Sequence, residues 1–560
     1  MSFALSAGVT GLQAHQKMLD IAGNNLANVN TTAFKSSRIT FSDLLSETIK
    51  KASQPTTSIG GTNPQQMGSG VGVAGISPNM AQGNIVNTGN PLDMAIEGEG
   101  YFVVNNGSQN VYTRSGVFAV DAASNLVDPT TGYLVQRIGS VGVSDGFQTA
   151  GNSNIHVPYD VAMAAKETAE ISIVGNLSAD SQFPTTQTNV LKSNVPYTTN
   201  NGTTATETTF INDLDQTTAG TYVGATITVT GYEHNSTPTL LVDAAPLVVT
   251  AATTMQDLLD HINTVLGATN AVATLSQGRI TVTDVDSGYS KSDIKLAFAN
   301  GGTADWTEPS YFEIAAVGGE EVKSINITAF DSQGGKHVLS GAFVRTDAAN
   351  TWDLVLTSIT GDIYDITFDN RRIEDISFDA GNGSYSGLAG TDDAEFAIAF
   401  AHDTSNPQTI TVNMGTAGQL NGLTQFAGNS TAVAREQDGY EAGSLANVSV
   451  DNEGTLIGVF SNGIKKNIAS IQIALFQNPS ALESLGSGYY NFSANSGGAV
   501  ATQALTGGAG SIHGGSLEKS NADVATEFVN MIQAQNGFQA NARTIRVAND
   551  ILKELTNLIR

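Results

Sequence analysis

Apolar residues recur every seven positions at both extremities of this chain, with hundreds of residues of a different character between them. Leu5, Leu12, Leu19 and Leu26 fall in register near the start, with Val9 and Ala22 between them. Near the end Val524, Met531, Phe538, Ile545, Leu552 and Ile559 do the same, and Phe528, Ala542 and Leu555 broaden the stripe. Seven residues make nearly two helical turns, so each set lies along one face of a helix. Asp523 or Asn521 is placed to cap the second helix. Its polar positions, Gln533, Gln535, Asn536, Gln539 and Asn541, and those of the first, Asn24, Asn25, Asn28 and Asn30, are amides. They lack the charged rows of a self-sufficient coiled coil. Gly11, Gly23 and Gly537 each weaken an isolated helix by about 1 kcal/mol relative to alanine. Two such helices are expected to be disordered in the free monomer and to pair with each other and with copies of themselves.

The middle of the chain alternates apolar and polar residues in short β-branched runs: 170–174, 226–230, 279–283, 325–328 and 409–412. That period predicts half-buried antiparallel strands. Turn residues punctuate them, as at 331–335 and 379–383, which favours sandwiches or barrels. One helix is expected over 254–266, where Thr254 and Asp257 have capping-box spacing and Leu258, Leu259, Ile262, Val265 and Leu266 form an apolar face. The Asn- and Thr-rich stretch 198–209 and the Gly-rich stretch 300–304 mark the edges of an inserted domain. The fold class is therefore multidomain, with α-helical coiled-coil termini and several mainly-β domains nested by insertion. The expected division is 1–34 with 517–560 as paired terminal helices, 35–71 as a linker or stalk, 72–142 with 430–516 as a middle β domain, 143–190 with 320–429 as an outer β domain, and 191–319 as an outermost α+β insertion.

Composition narrows the function. A net charge of -27 repels phosphate backbones and anionic headgroups, which argues against nucleic-acid binding and membrane insertion. That charge sits in the middle: residues 1–51 carry five basic and three acidic side chains, and residues 517–560 five of each. There is no cysteine, so no disulfide or thiolate metal site exists. Gly70–Gly75 fits G-x-G-x-x-G, but no strand–turn–helix context surrounds it, and a flexible linker is expected there. The seven histidines contain no i, i+3 or i, i+4 pair for zinc and are expected on the surface or in turns. Asp284 and Asp286 lack the later ligands of a calcium loop, and the Glu97–Glu99 pair is not expected to converge for acid–base work. No catalytic residue, cofactor or metal is expected, and the chain reads as no enzyme.

The segment 19–35, which includes Asn24, Asn25, Asn28, Phe34 and Lys35, resembles the N-terminal signature of the flagellar rod and hook axial family. Segments 91–102 and 112–116 second it, as does 527–543 with Gln535, Gly537, Phe538 and Asn541, all in the family's order. Ala33 stands where the family usually has glycine, which raises the question of whether the turn before Phe34 requires a positive φ. The resemblance covers about half of the chain, residues 1–140 and 430–560. It implies a structural subunit that polymerises into a helical tube, with the heptad residues Leu5, Leu12, Leu19, Leu26, Val524, Phe528, Met531, Phe538, Ile545, Leu552 and Ile559 at the assembly interface.

Some 290 residues intervene between the family-like ends, which favours the hook over the distal rod as the place of this subunit. The expected role is a flexible, torque-transmitting joint outside the cell. The implied partners are copies of itself, the rod, the hook cap, the hook–filament junction proteins and the type III export apparatus. A secreted β-rich adhesin or glycan-binding protein is the reading from a different class, and it leaves both heptad ends unexplained.

Overall fold

The computed structural model describes residues 2–57, 59–180, 187–218, 224–234, 239–267, 269–300, 305–390 and 394–558. Among them are three α-helices, α1 (Ser2–Ala27), α2 (Met255–Leu266) and α3 (Val524–Leu558), and the other long elements are strands. The chain forms two compact units. One joins Met1–Met163 with Gly443–Arg560, and the other is Ala164–Ala442.

In the first unit the central strand Tyr101–Asn105 hydrogen-bonds to its hairpin partner Asn110–Thr113, to Leu134–Val135, and to Ile473–Leu475 from the far half of the chain. Its sheet therefore closes only when residues more than 350 apart meet. Tyr101 and Tyr112 each stand edge-on to Phe476, and Phe102 to Phe118, the offset geometry that ring quadrupoles favour. Two further ladders join the halves: Ile85–Asn87 with Ser516–Glu518, and Met94–Glu97 with Ser511–Gly514.

Between α1 and this body, over the stretch 35–71 read as a linker or stalk, the chain pairs with itself. Ser37–Asp43 pairs antiparallel with Val71–Pro78, and Ser46–Lys50 with Gln65–Gly68, giving a long β-hairpin. The G-x-G-x-x-G run lies at the start of its returning strand and is not a flexible linker. The alternating small residues 70–75 hide the strand pattern because the ladder has almost no buried face to impress on the sequence.

The second unit contains a five-stranded antiparallel sheet, Val322–Phe330, Lys336–Arg345, Thr351–Ile359, Arg372–Phe378 and Tyr385–Leu388, over a core of Phe343, Trp352, Leu354 and Phe396. All five sequence-read runs lie in strands. One expectation needs correction: Glu170–Ser178 runs parallel, not antiparallel, to Gln408–Asn413 and Leu423–Phe426. Parallel pairing needs a long crossover, and here it spans the whole inserted segment, which no local pattern reveals. Val433–Gln437 also pairs with Glu170–Ser178, so residues 430–442 belong to this unit and residues 143–163 to the first. A second core gathers on α2, whose Leu258, Leu259 and Ile262 pack with Val229, Ile280 and Trp306. The Thr254–Asp257 capping box is present as read from the sequence. Residues 301–304 of the expected Gly-rich boundary lie outside the described residues.

Three of the histidines, His234, His261 and His337, depart from the surface-and-turn expectation, being largely covered and facing carboxylates. His261 Nε2 lies 2.8 Å from Asp243, His337 Nε2 2.9 Å from Asp331, and His234 Nδ1 2.9 Å from Asp284. Asp284 is buried, and its Oδ2 also accepts from Ser290 and Ser292. Burial alone would raise Asp243 and Asp331. The hydrogen bond from the facing histidine and two backbone N–H donors outweigh it and hold both below the ordinary aspartate value. A depressed carboxylate adds stability that is in place above its unfolded value, about 3.9, and is lost as pH falls through its folded value. The Asp243→Asn and Asp331→Asn variants should therefore lose more urea resistance, relative to the parent, at pH 7 than at pH 3. An equal loss at both pH values would contradict this assignment.

Candidate assembly interface

Helices α1 and α3 pack antiparallel, and small residues form the seam. A Cβ placed on Gly8 would come 3.0 Å from Ile545 Cγ1, one on Gly11 would come 2.8 Å from the Asn541 amide, and one on Gly537 would overlap the His15 ring. Ala14, Ala22 and Ala534 are buried in the same seam. The glycines that weaken each helix in isolation thus let the two backbones approach. His15 and Gly8, unremarkable in the sequence, become seam residues through this register.

With the seam filled by small side chains, the heptad residues flank it. Leu5, Leu12, Leu19 and Leu26 are half-buried, as are Met531 and Ile545, whereas Val524, Phe528, Phe538, Leu552 and Leu555 are exposed. Val529 and Ile532, off the heptad, are 52% and 56% exposed beside Phe528 at 49%. Ile559 lies outside the described residues. Asp523, not Asn521, caps α3, accepting from the Ala525 and Thr526 amides.

The signature residues divide into two groups. Asn28 caps the end of α1 by donating to the Asn24 carbonyl at 2.9 Å, Gln535 is exposed on α3, and Asn541 Nδ2 donates to the Gly537 carbonyl at 3.0 Å. The second group forms a buried polar junction beneath the helices. Asn25 Nδ2 donates to Glu527 Oε1 at 3.0 Å and to the Ser37 carbonyl, while its own oxygen accepts from the Ser37 amide. Phe34, half-buried, offers its carbonyl to the Asn521 amide. Asn521 in turn accepts from the Ser36 amide and donates to the carbonyls of Asn79 and Ala81.

At the centre Lys35 Nζ meets Glu518 Oε1 at 2.7 Å, with 1% and 0% of the two side chains exposed. Lys35 also donates to the Ala81 carbonyl, the Gly83 amide donates to Glu518, and Arg114 Nη1 stands 3.5 Å from Glu518 Oε2. Burial pulls Lys35 below the ordinary lysine range, and the Glu518 carboxylate opposes that pull. Sequence reading singled out Lys35 but missed Glu518, because the register that brings residues nearly 500 apart together has no local signal, and Glu527 was visible only at the head of the 527–543 segment. Arg114 was visible only inside the 112–116 motif.

The structure thus presents an antiparallel pair of terminal helices with exposed apolar flanks, anchored on a β body. Sequence comparison adds the family. Residues 5–35 match the flagella basal body rod protein family, 95–179 the flagellar hook protein FlgE/F/G D1 domain, 304–440 the flagellar basal body protein FlaE D2 domain, and 513–558 the flagellar basal body rod FlgEFG protein C-terminal family. The flagellar hook protein FlgE of Treponema pallidum is 30% identical over 564 residues, with both chains covered in full. The same-named proteins of Borreliella burgdorferi and Escherichia coli are 27% identical over 562 residues and 26% identical over 557, with at least 99% of each chain covered. The crystal structure of Helicobacter pylori flagellar hook protein FlgE2 aligns with 76% of this chain and 99% of its own at 16% identity and a TM-score of 0.39. The chain belongs to the flagellar hook protein family.

Two consequences are measurable. Ala33 adopts a φ of 56° while its amide donates to the Glu518 carbonyl at 2.8 Å, so the turn does require a positive φ. A left-handed alanine costs about 1 kcal/mol, so Ala33→Gly should raise the urea midpoint by up to that amount. Removing one partner of a buried ion pair costs about 3–5 kcal/mol. Lys35→Met alone should therefore destabilise the first unit severely, while Lys35→Met with Glu518→Met should recover part of the loss in the same titration.

Proposed function

We propose that this hook subunit assembles into a flexible tube whose wall is built on the α1–α3 pair, and that the tube carries torque from rod to filament while it bends. The observation that carries this reading is the apolar face of α3. Phe528, Val529 and Ile532 stand in solvent on a helix whose other side is already occupied, and a soluble chain rarely leaves such a row without a partner.

The heptad residues Leu5, Leu12, Leu19, Leu26, Val524, Phe528, Met531, Phe538, Ile545 and Leu552 then contact neighbouring copies. Contacts between unlike surfaces that do not close generate a helix. The β-rich units, low in charged residues and rich in Thr, Asn and Gly, present polar surfaces whose water-mediated contacts exchange at little net cost. This suits a joint that flexes at every turn. Residues 191–319 would form an outermost domain nested within an outer one.

The location is extracellular in this reading. Passage through a type III channel before assembly fits a chain without cysteine that completes its terminal contacts only in the polymer. Rod, cap and hook–filament junction proteins are then its neighbours at the ends of the tube, and the role is structural with no catalysis.

Negative-stain electron microscopy tests the assignment. The intact chain should form tubes, whereas Phe538→Asp, Leu19→Asp and a version trimmed to residues 72–515 should not, with the β content of the point variants unchanged by circular dichroism. Tubes formed equally well by the trimmed chain would remove the helices from the mechanism.

A further inference from the structure

Within the second unit, the inserted segment 191–319 is entered and left on neighbouring strands, Thr188–Ser193 and Phe312–Ala316, which pair antiparallel. A two-stranded neck of this kind would by itself let the insertion swing. The packing around it does the opposite. In the five-stranded sheet the consecutive residues Ala342, Phe343 and Val344 are all buried, as are Leu354, Val355 and Leu356. Side chains alternate between the two faces of a strand, so an unbroken buried run means a sheet covered on both sides. Phe343, Leu354 and Leu356 belong to the core on one face. Ala342, Val344 and Val355 belong to the core that gathers on α2 inside the insertion. The apolar interior of the insertion thus continues onto the sheet.

Polar contacts cross the same boundary. Lys291 Nζ lies 2.5 Å from Glu374 Oε2, and Lys295 Nζ 2.6 Å from Asp365 Oδ2. The Tyr289 hydroxyl donates to Asp353, which is fully buried two residues before Val355 and so on the same face of the sheet. Tyr311, on the exit strand's approach, donates its hydroxyl to the Ile359 carbonyl at 3.0 Å and accepts from the Ile359 amide at 2.8 Å. Arg371, with 3% of its side chain exposed, holds both sides at once. It donates to the Leu356 carbonyl through Nε and Nη2 and to the Phe312 carbonyl at 2.9 Å, and stands 3.3 Å from Asp293. Swinging the insertion about its neck would uncover the shared apolar face and break all of these contacts together.

We infer that the insertion and the five-stranded sheet are one rigid, cooperative body, which unfolds as a unit and does not bend at the neck of the insertion. Neither part has a closed interior without the other, and Arg371 is the positioning residue that ties the exit strand to the sheet. The inference concerns the single chain and goes beyond the assembly reading. Where that reading holds, the joint flexes outside this body.

Hydrogen exchange of the unsubstituted chain, followed by mass spectrometry over a urea series, tests it. Peptides from α2 and from Lys336–Arg345 and Thr351–Ile359 should lose protection at one urea midpoint. Ile262→Val trims the α2 core lightly and touches none of the cross-boundary contacts named above. It should lower protection of the α2 peptides and of the sheet peptides by the same factor, roughly 2 to 10. Loss of α2 protection at lower urea than the sheet, or a fall in the variant that is confined to α2, would show a separate domain on a free neck and overturn the inference. Because the measurement is made on the monomer, its outcome does not depend on whether tubes form.

Discussion

The contact between Lys35 and Glu518 is the constraint on which the rest of the first unit depends. Two opposite charges with almost no exposure need further partners, and here Lys35 donates to the Ala81 carbonyl, the Gly83 amide donates to Glu518, and the Arg114 guanidinium adds positive charge beside Glu518 Oε2. These partners come from four stretches of chain, so the ion pair forms only when the hairpin base, the strand after it, the Arg114 turn and the last strand before α3 have all arrived. The terminal helices leave the body on either side of this pair, through Phe34 and Asn521, which hydrogen-bond to each other. The buried charge thus fixes the point from which α1 and α3 start and, with Asn25 and Glu527, their mutual rotation.

From that fixed start the seam follows. Gly8, Gly11, Ala14 and Ala22 on α1, facing Ala534, Gly537 and Ile545 on α3, bring the backbones close but bury little apolar area of their own. A pair held mainly by close approach leaves its large side chains free for other contacts. Leucines and phenylalanines turned into the seam would make a stable two-helix hairpin with nothing to offer a neighbour. In the assembly proposed above, this division between a small-residue seam and large flanking residues would make the pair a building block.

Much of this was legible. The terminal helices, the α2 capping box, the strand runs and the Asp523 cap follow from periods and cap chemistry that act within a few residues. The amides at Asn25 and Asn28 and the basic Lys35 stood out as a motif, although their partners did not. What was missed depends on register between distant segments: the parallel pairing of Glu170–Ser178, the Glu518 partner of Lys35, and the seam that turns Gly11 and Gly537 from weak points into contacts. The β-hairpin at 37–78 was missed for another reason, since its strands bury no residue fully and so write little alternation into the sequence.

Charge completes the physical picture. The first 51 and last 44 residues are close to neutral, and the excess of acid lies between them. In the proposed tube the helices would be the most crowded elements, and like charge packed there at contact distance would be screened little, because screening at physiological salt acts over about 8 Å. Acidic side chains on the water-facing β units sit in high dielectric, where their mutual repulsion is weak and keeps separate polymers from associating. Neutral helices with apolar flanks and acidic β units therefore solve two opposed requirements in one chain, firm attachment along the helices and a surface that does not adhere elsewhere.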